Sequence, residues 1–280
     1  MSVESKSRRS NREESASEDV VQQICRAFNE FLAAITEEIR EDVRSVLCLD
    51  PLPKSFDYSY SLLSYFWTVV FMTSKTVGAK FGKIAAVKSL LGVLGNPALF
   101  LLTYVLLPIY AILLHQKTPA SRASTSERRL AIMGFACLLG ATTEFFWSDY
   151  VQPAKAPSYY LPLVVGLAIQ VAGPQMQGNR IAFIASTVGI ASGVSLFIAK
   201  SVAILDFTYV LCTLISASIS VVNLQLLIAV KNKSKSTTLI NSSSVLSAEH
   251  EMTYGHLRTV IFSIYVQMIT VIFASKHENK

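Results

Sequence analysis

Seven charge-poor apolar stretches follow one another along this chain, at 58–74, 90–114, 130–148, 156–179, 181–199, 207–230 and 259–275. Each has roughly the length at which an α-helix crosses the hydrocarbon core of a bilayer. Backbone N–H and C=O groups find no partner in lipid, and a helix satisfies them within itself. The expected architecture is therefore an all-α, seven-helix polytopic membrane bundle. Only the third stretch carries an internal charge, Glu144.

Composition agrees with this. Hydrophobic residues are 51% of the chain and charged residues 16%, well below the quarter or so usual in soluble domains. The formal charge of +6 comes from basic residues in the loops, and no basic-aromatic nucleic-acid motif accompanies them. The lipid bilayer is the expected partner, and nucleic acid is not. Residues 1–19 have no apolar h-region, so the reading is that insertion relies on the first span. Loop Lys/Arg counts favour a cytosolic N-terminus by a small margin.

Four parts are expected: a disordered segment at 1–18, an amphipathic helix and proline linker at 19–53, a membrane domain at 54–276, and a polar tail at 277–280. In the second part Val20, Ile24, Phe28, Phe31, Ile35, Ile39, Val43 and Val46 recur at helical spacing. Asp50-Pro51 ends that helix, because proline cannot continue the ladder. Pro97 and Pro108 predict a kink or a late start in span two. Lys75, Lys80, Lys83 and Lys88 are assigned to the loop after span one. Gln177-Gly178-Asn179-Arg180 reads as a tight turn between spans four and five, and the small residues from Gly189 to Ser195 as a close-packing face.

Chemistry-bearing motifs are few. Cys25, Cys48, Cys137 and Cys212 lie in separate segments without metal-ligand spacing. The four histidines form no H-E-x-x-H, and no G-x-S-x-G elbow is present. No enzyme activity, resident cofactor or metal is expected.

The order of features resembles the Bax inhibitor-1 (transmembrane Bax inhibitor motif) family over residues 60–276. The resemblance rests on the Glu127-Arg128-Arg129-Leu130 opening of span three, the turn with Arg180, the span-six ending Val221-Val222-Asn223-Leu224-Gln225-Leu226-Leu227-Ile228, and the approach Tyr254-x-His256 to a short seventh span. It implies a membrane protein of the endoplasmic reticulum that modulates cell death and calcium stress. Its partners would be cell-death regulators or other membrane proteins.

The resemblance further implies an aspartate pair between spans six and seven, gating a pH-dependent calcium leak. Asn223, Thr259 and Ser263 stand at the family's acidic positions here, while Gln225 and His256 match its motif. Two carboxylates in low dielectric share protons and sense pH; amide and hydroxyl groups do not. The leak is accordingly expected to be lost or altered, with Ca2+ the ion in question. Glu144 is either a substitute acid or an acid that reaches water near its helix end. The alternatives are a divergent small channel or transporter, and a membrane scaffold that recruits partners through the 19–49 helix.

Overall fold

The computed structural model describes residues 33, 36, 37, 40, 43–52, 56–118, 122–147, 160–176 and 178–278, apart from 238–242. The chain divides into two units, Met1–Cys48 and Leu49–Lys280. In the first, residues 43–47 are helical and the helix is over by Cys48, just ahead of Asp50-Pro51, where the proline punctuation places its end. The segment at 1–18 and most of the 19–49 helix lie outside the described residues.

The second unit is entirely helical among its described residues. Its elements are α1 (Tyr58–Gly82), α2 (Ala85–Gly92), α3 (Asn96–Leu101), a π-segment (Leu102–Leu106), α4 (Leu107–Lys117), α5 (Thr125–Trp147), α6 (Leu161–Ala172), a 3-10 turn (Gly173–Met176), α7 (Arg180–Ser201), α8 (Phe207–Thr237) and α9 (Ser243–Glu278). Four runs are long and apolar enough to span a membrane: Asn96–Lys117, Thr125–Trp147, Arg180–Ser201 and Tyr209–Ala229. Leu161–Met176 is a shorter apolar helix. The chain is thus a multi-pass membrane protein by length and composition.

Side chains set the helix starts. Asp57 accepts from the Tyr60 amide (3.0 Å), Asn179 from Ala182 (3.0 Å) and Asp206 from Tyr209 (2.6 Å), each filling one of the donors a helix N-terminus leaves open. At α5, Ser124 and Glu127 form a reciprocal capping box, with amide-to-side-chain distances of 2.7 and 3.2 Å. The turn at Gly178 is tight as expected, with a left-handed φ of 83° that suits glycine.

Two expectations change. Span two does not begin at Leu90. Residues 85–92 form the separate α2, and Gly95 (φ 73°) then reverses the chain into α3, with Pro97 in its first turn. Pro108 disturbs the run further along. It has no N–H to return to the Tyr104 carbonyl, and the ladder relaxes to π spacing over Leu102–Leu106. The freed Tyr104 carbonyl accepts the Tyr265 hydroxyl of α9 at 2.5 Å, so a neighbouring helix satisfies it. The second change concerns the lysines. α1 runs to Gly82, so Lys75 and Lys80 stand on the helix, Lys83 caps it and Lys88 lies on α2.

α1 joins two cores. Its Tyr65 packs with α6, α7 and α8 around Val165, Phe183 and Leu224, whereas its Phe71 and Met72 pack with α5 and α9 around Ile132, Leu139 and Val260. The crossing of α1 and α5 is very close. A Cβ on Gly78 would lie 1.9 Å from the Cys137 carbonyl oxygen, one on Gly82 2.5 Å from that of Ala141, and one on Gly140 1.8 Å from that of Lys75. Gly78-x-x-x-Gly82 on α1 therefore meets Gly140 on α5 backbone to backbone. Ser74 Oγ secures the contact by donating to the Met133 carbonyl (2.8 Å). On α7 the close-packing expectation divides: Ala191 and Ser195 are fully buried, but a Cβ on Gly189 or Gly193 would meet nothing within 4 Å.

Gly140→Leu should therefore collapse detergent-purified protein, since the side chain collides with fixed backbone; a loss beyond the about 1–3 kcal/mol of ordinary overpacking is expected. Gly189→Ala and Gly193→Ala should change thermal stability by less than about 0.5 kcal/mol. Thermal unfolding followed by size-exclusion fluorescence distinguishes the two classes.

Candidate functional site

The motif residues of α8 and α9 fall along the inner side of the bundle but do not form one polar cluster. Asn223 and Thr259 meet: Thr259 Oγ1 lies 3.5 Å from Asn223 Oδ1, a long contact, and its shorter bond (2.9 Å) goes to the Gly255 carbonyl of its own helix. Both side chains are half-buried.

One turn further along α9, Ser263 faces α1. Lys75 Nζ donates to the Ser263 carbonyl (3.2 Å) and to its Oγ (3.1 Å), while Ser263 Oγ donates to Val260 O (2.6 Å). Among the described residues no carboxylate lies within ion-pair distance of Lys75. A lysine therefore lies beside Ser263, one of the positions at which an acid was expected. A charged group away from water is costly unless hydrogen-bonded or paired, and these two oxygens are what the site offers it.

Gln225 and His256 serve other contacts. Gln225 Oε1 accepts Arg180 Nε at 2.6 Å, with both residues buried. The arginine that opens α7 is thereby tied to the middle of α8. His256 Nε2 lies 3.0 Å from the Ser64 carbonyl and 3.1 Å from Ser64 Oγ. The first contact makes Nε2 the protonated nitrogen. Its Nδ1 is buried without a partner, and its ring packs on Phe71 at 5.3 Å between centroids.

Glu144 is neither with these residues nor free in water. It is 7% exposed at the side chain and pairs with Lys83 Nζ at 3.2 Å, whose own side chain is 65% exposed. The C-terminal cap of α1 reaches over and neutralises it. No bond links Glu144 to Asn223, Thr259 or Ser263 among the described residues.

Sequence reasoning missed Lys75, because a hydropathy window stops at a charge. The Ser74, Gly78, Gly82 spacing was the available signal that the helix continues through it. It also missed the aromatic group in which Trp147 Nε1 donates to Tyr104 OH at 2.6 Å. Among the described residues no cluster of three His, Cys, Asp or Glu could hold a metal ion, and Cys48, Cys137 and Cys212 form no disulfide.

The fold and this site define a multi-pass helical membrane protein in which, among the described residues, Asn223, Thr259 and Ser263 are neutral and Lys75 points inward. No family model, curated protein or solved structure matches the chain.

Gln225→Leu should destabilise by about 1–3 kcal/mol, because Arg180 Nε loses its acceptor in a buried site. Asn223→Leu should cost less than about 1 kcal/mol, since the contact it removes is long. Thermal shifts of the two variants in one detergent give the comparison, and equal losses would contradict it.

Proposed function

We propose that this protein is a multi-pass membrane protein of the endoplasmic reticulum, of the Bax inhibitor-1 kind, that modulates cell death and stress through membrane-protein partners and does not itself pass calcium. The observation that supports this reading is the Lys75 amino group on Ser263. The resemblance calls for carboxylates at Asn223, Thr259 and Ser263. Calcium binding depends on hard, charged oxygen ligands, and these positions supply only neutral ones.

Lys75 adds a repulsive element. At about 4 Å and an effective dielectric constant of about 20, two unit charges interact by about 4 kcal/mol, so a divalent ion meets a barrier on the order of 8 kcal/mol while Lys75 holds its proton. That outweighs the small attraction of one amide and two hydroxyls. The sole buried acid among the described residues, Glu144, is held by Lys83. With neither a shared proton between carboxylates nor a free acid at the site, the acid-triggered gate has no titrating group on α8 or α9 at these positions.

The seven-span count belongs to the same reading. Described helix lies within each of the seven apolar stretches, the second of them interrupted. In it α1, α6 and α9 cross as well as the four strongly apolar runs, with the polar residues of α1 and α9 turned toward each other.

Reconstituted protein should give no calcium efflux that rises between about pH 7.5 and pH 5.5. Lys75→Ala combined with Ser263→Asp should introduce one. In cells, overexpression should change sensitivity to a death stimulus with reticular calcium stores unchanged. A steep acid-dependent calcium efflux from the wild-type protein would contradict the proposal.

A further inference from the structure

At the end of the bundle where α4 stops and α5 starts, four aromatic or cationic side chains stack in a column. His115 of α4 lies against His250 of α9, with centroids 4.2 Å apart and planes 15° from parallel, and against Tyr254, at 5.1 Å and 13°. The guanidinium of Arg258 caps the column, 4.2 Å from the Tyr254 centroid. His250, Tyr254 and Arg258 are spaced four residues apart and share one helical face. His115 is 8% exposed. Its Nε2 and the Nδ1 of His250 are both buried without a hydrogen-bond partner.

We propose that His115 and His250 form an acid-releasable clasp, which holds the first half of α9 against α4 while both rings are neutral and lets go when either is protonated. The proposal is independent of whether the site at Lys75 passes ions.

The charges around the clasp are mostly positive. From α5, Arg128 lies nearby and is itself committed to the carbonyls of Ala123 (3.3 Å) and Thr118 (3.2 Å). α4 contributes Lys117, exposed, and α9 contributes Arg258. Two acids with described side chains lie at this end, Glu127 on α5 and Glu249 on α9. Glu127 is occupied by the Ser124 capping box, and Glu249 accepts the Thr125 hydroxyl. A proton on either imidazole therefore adds a cation beside Arg128, on a ring whose open nitrogen faces no acceptor.

Burial first, and then Arg128, hold His250 below the ordinary imidazole value of 6.5. A base with a lowered folded-state value stabilises the packed form at pH above its unfolded value. That contribution is lost as pH falls below about 6.5 toward the lower folded value. The clasp is thus closed at neutral pH and opens on acidification. The second half of α9 stays anchored, by Tyr265 on the Tyr104 carbonyl and by Lys75 on Ser263. Gly255, around which a Cβ would meet nothing within 4 Å, is a weak point for bending between the halves.

The test uses full-length protein in lipid nanodiscs, with the native cysteines replaced and spin labels at Lys117 and Ser247. Between about pH 7.5 and pH 5 the distance distribution should gain a second, longer population. His115→Phe/His250→Phe, which keeps aromatic rings but cannot titrate, should hold the single short distance at both values. No change in the unsubstituted histidine background, or the same change in the double phenylalanine protein, would overturn the proposal. Imidazole NMR of labelled wild-type protein checks it without any substitution at the clasp: His250 should titrate clearly below a free histidine, and titration at the free value would also overturn it.

Discussion

The backbone contact between α1 and α5 is the constraint from which the rest of the bundle follows. Gly78, Gly82 and Gly140 carry no side chain at the crossing, so two main chains approach to a distance that any Cβ would forbid. In lipid no hydrophobic effect draws helices together, and such close approach supplies dispersion and polar contacts instead. Once α1 is fixed on α5 in this register, its remaining faces are assigned. Tyr65 turns to the core of α6, α7 and α8, and Phe71 to the core of α5 and α9. Lys75, one turn beyond Phe71, then meets Ser263, and Lys83 at the end of the helix meets Glu144.

The bundle answers several polar liabilities with a partner from another helix. Pro108 breaks the ladder, and the Tyr104 carbonyl it strands takes the Tyr265 hydroxyl. Arg180 enters α7 as a buried cation and is bound by Gln225. Tyr160, Ser195 and Tyr209 close a ring of hydroxyls among α7, α8 and the start of α6. Individually such interhelical bonds are worth about 0.6 kcal/mol on average. Their larger effect is on register, because a helix rotated by one residue would strand several buried groups together.

Much of the architecture was legible in the residues. Apolar length located the four runs Asn96–Lys117, Thr125–Trp147, Arg180–Ser201 and Tyr209–Ala229, Gly178 and Asn179 located a turn, and Pro97 and Pro108 located the interruptions of span two. Where reading failed, the cause was a rule applied without depth information. Lys75 and Lys80 ended the apolar window at a point where the helix does not end, since the Ser74, Gly78, Gly82 spacing carries α1 four residues past Gly78. Gly189 and Gly193 carry the same spacing on α7, yet no partner covers them. One-dimensional spacing cannot say which small-residue face finds a neighbour. The neutral character of Asn223, Thr259 and Ser263 was readable at once. That a lysine from α1 sits on the last of them was not, because the pairing joins residues 188 positions apart.

The packing of α1 against α9, with Lys75 on Ser263, can be probed by cross-linking in native membranes. With the native cysteines replaced, Lys75→Cys/Ser263→Cys should be joined rapidly by a short bis-thiosulfonate reagent. The pair Lys75→Cys/Phe262→Cys should not, because Phe262 is 54% exposed on the outside of α9. Equal yields for both pairs, or a higher yield with position 262, would contradict the account.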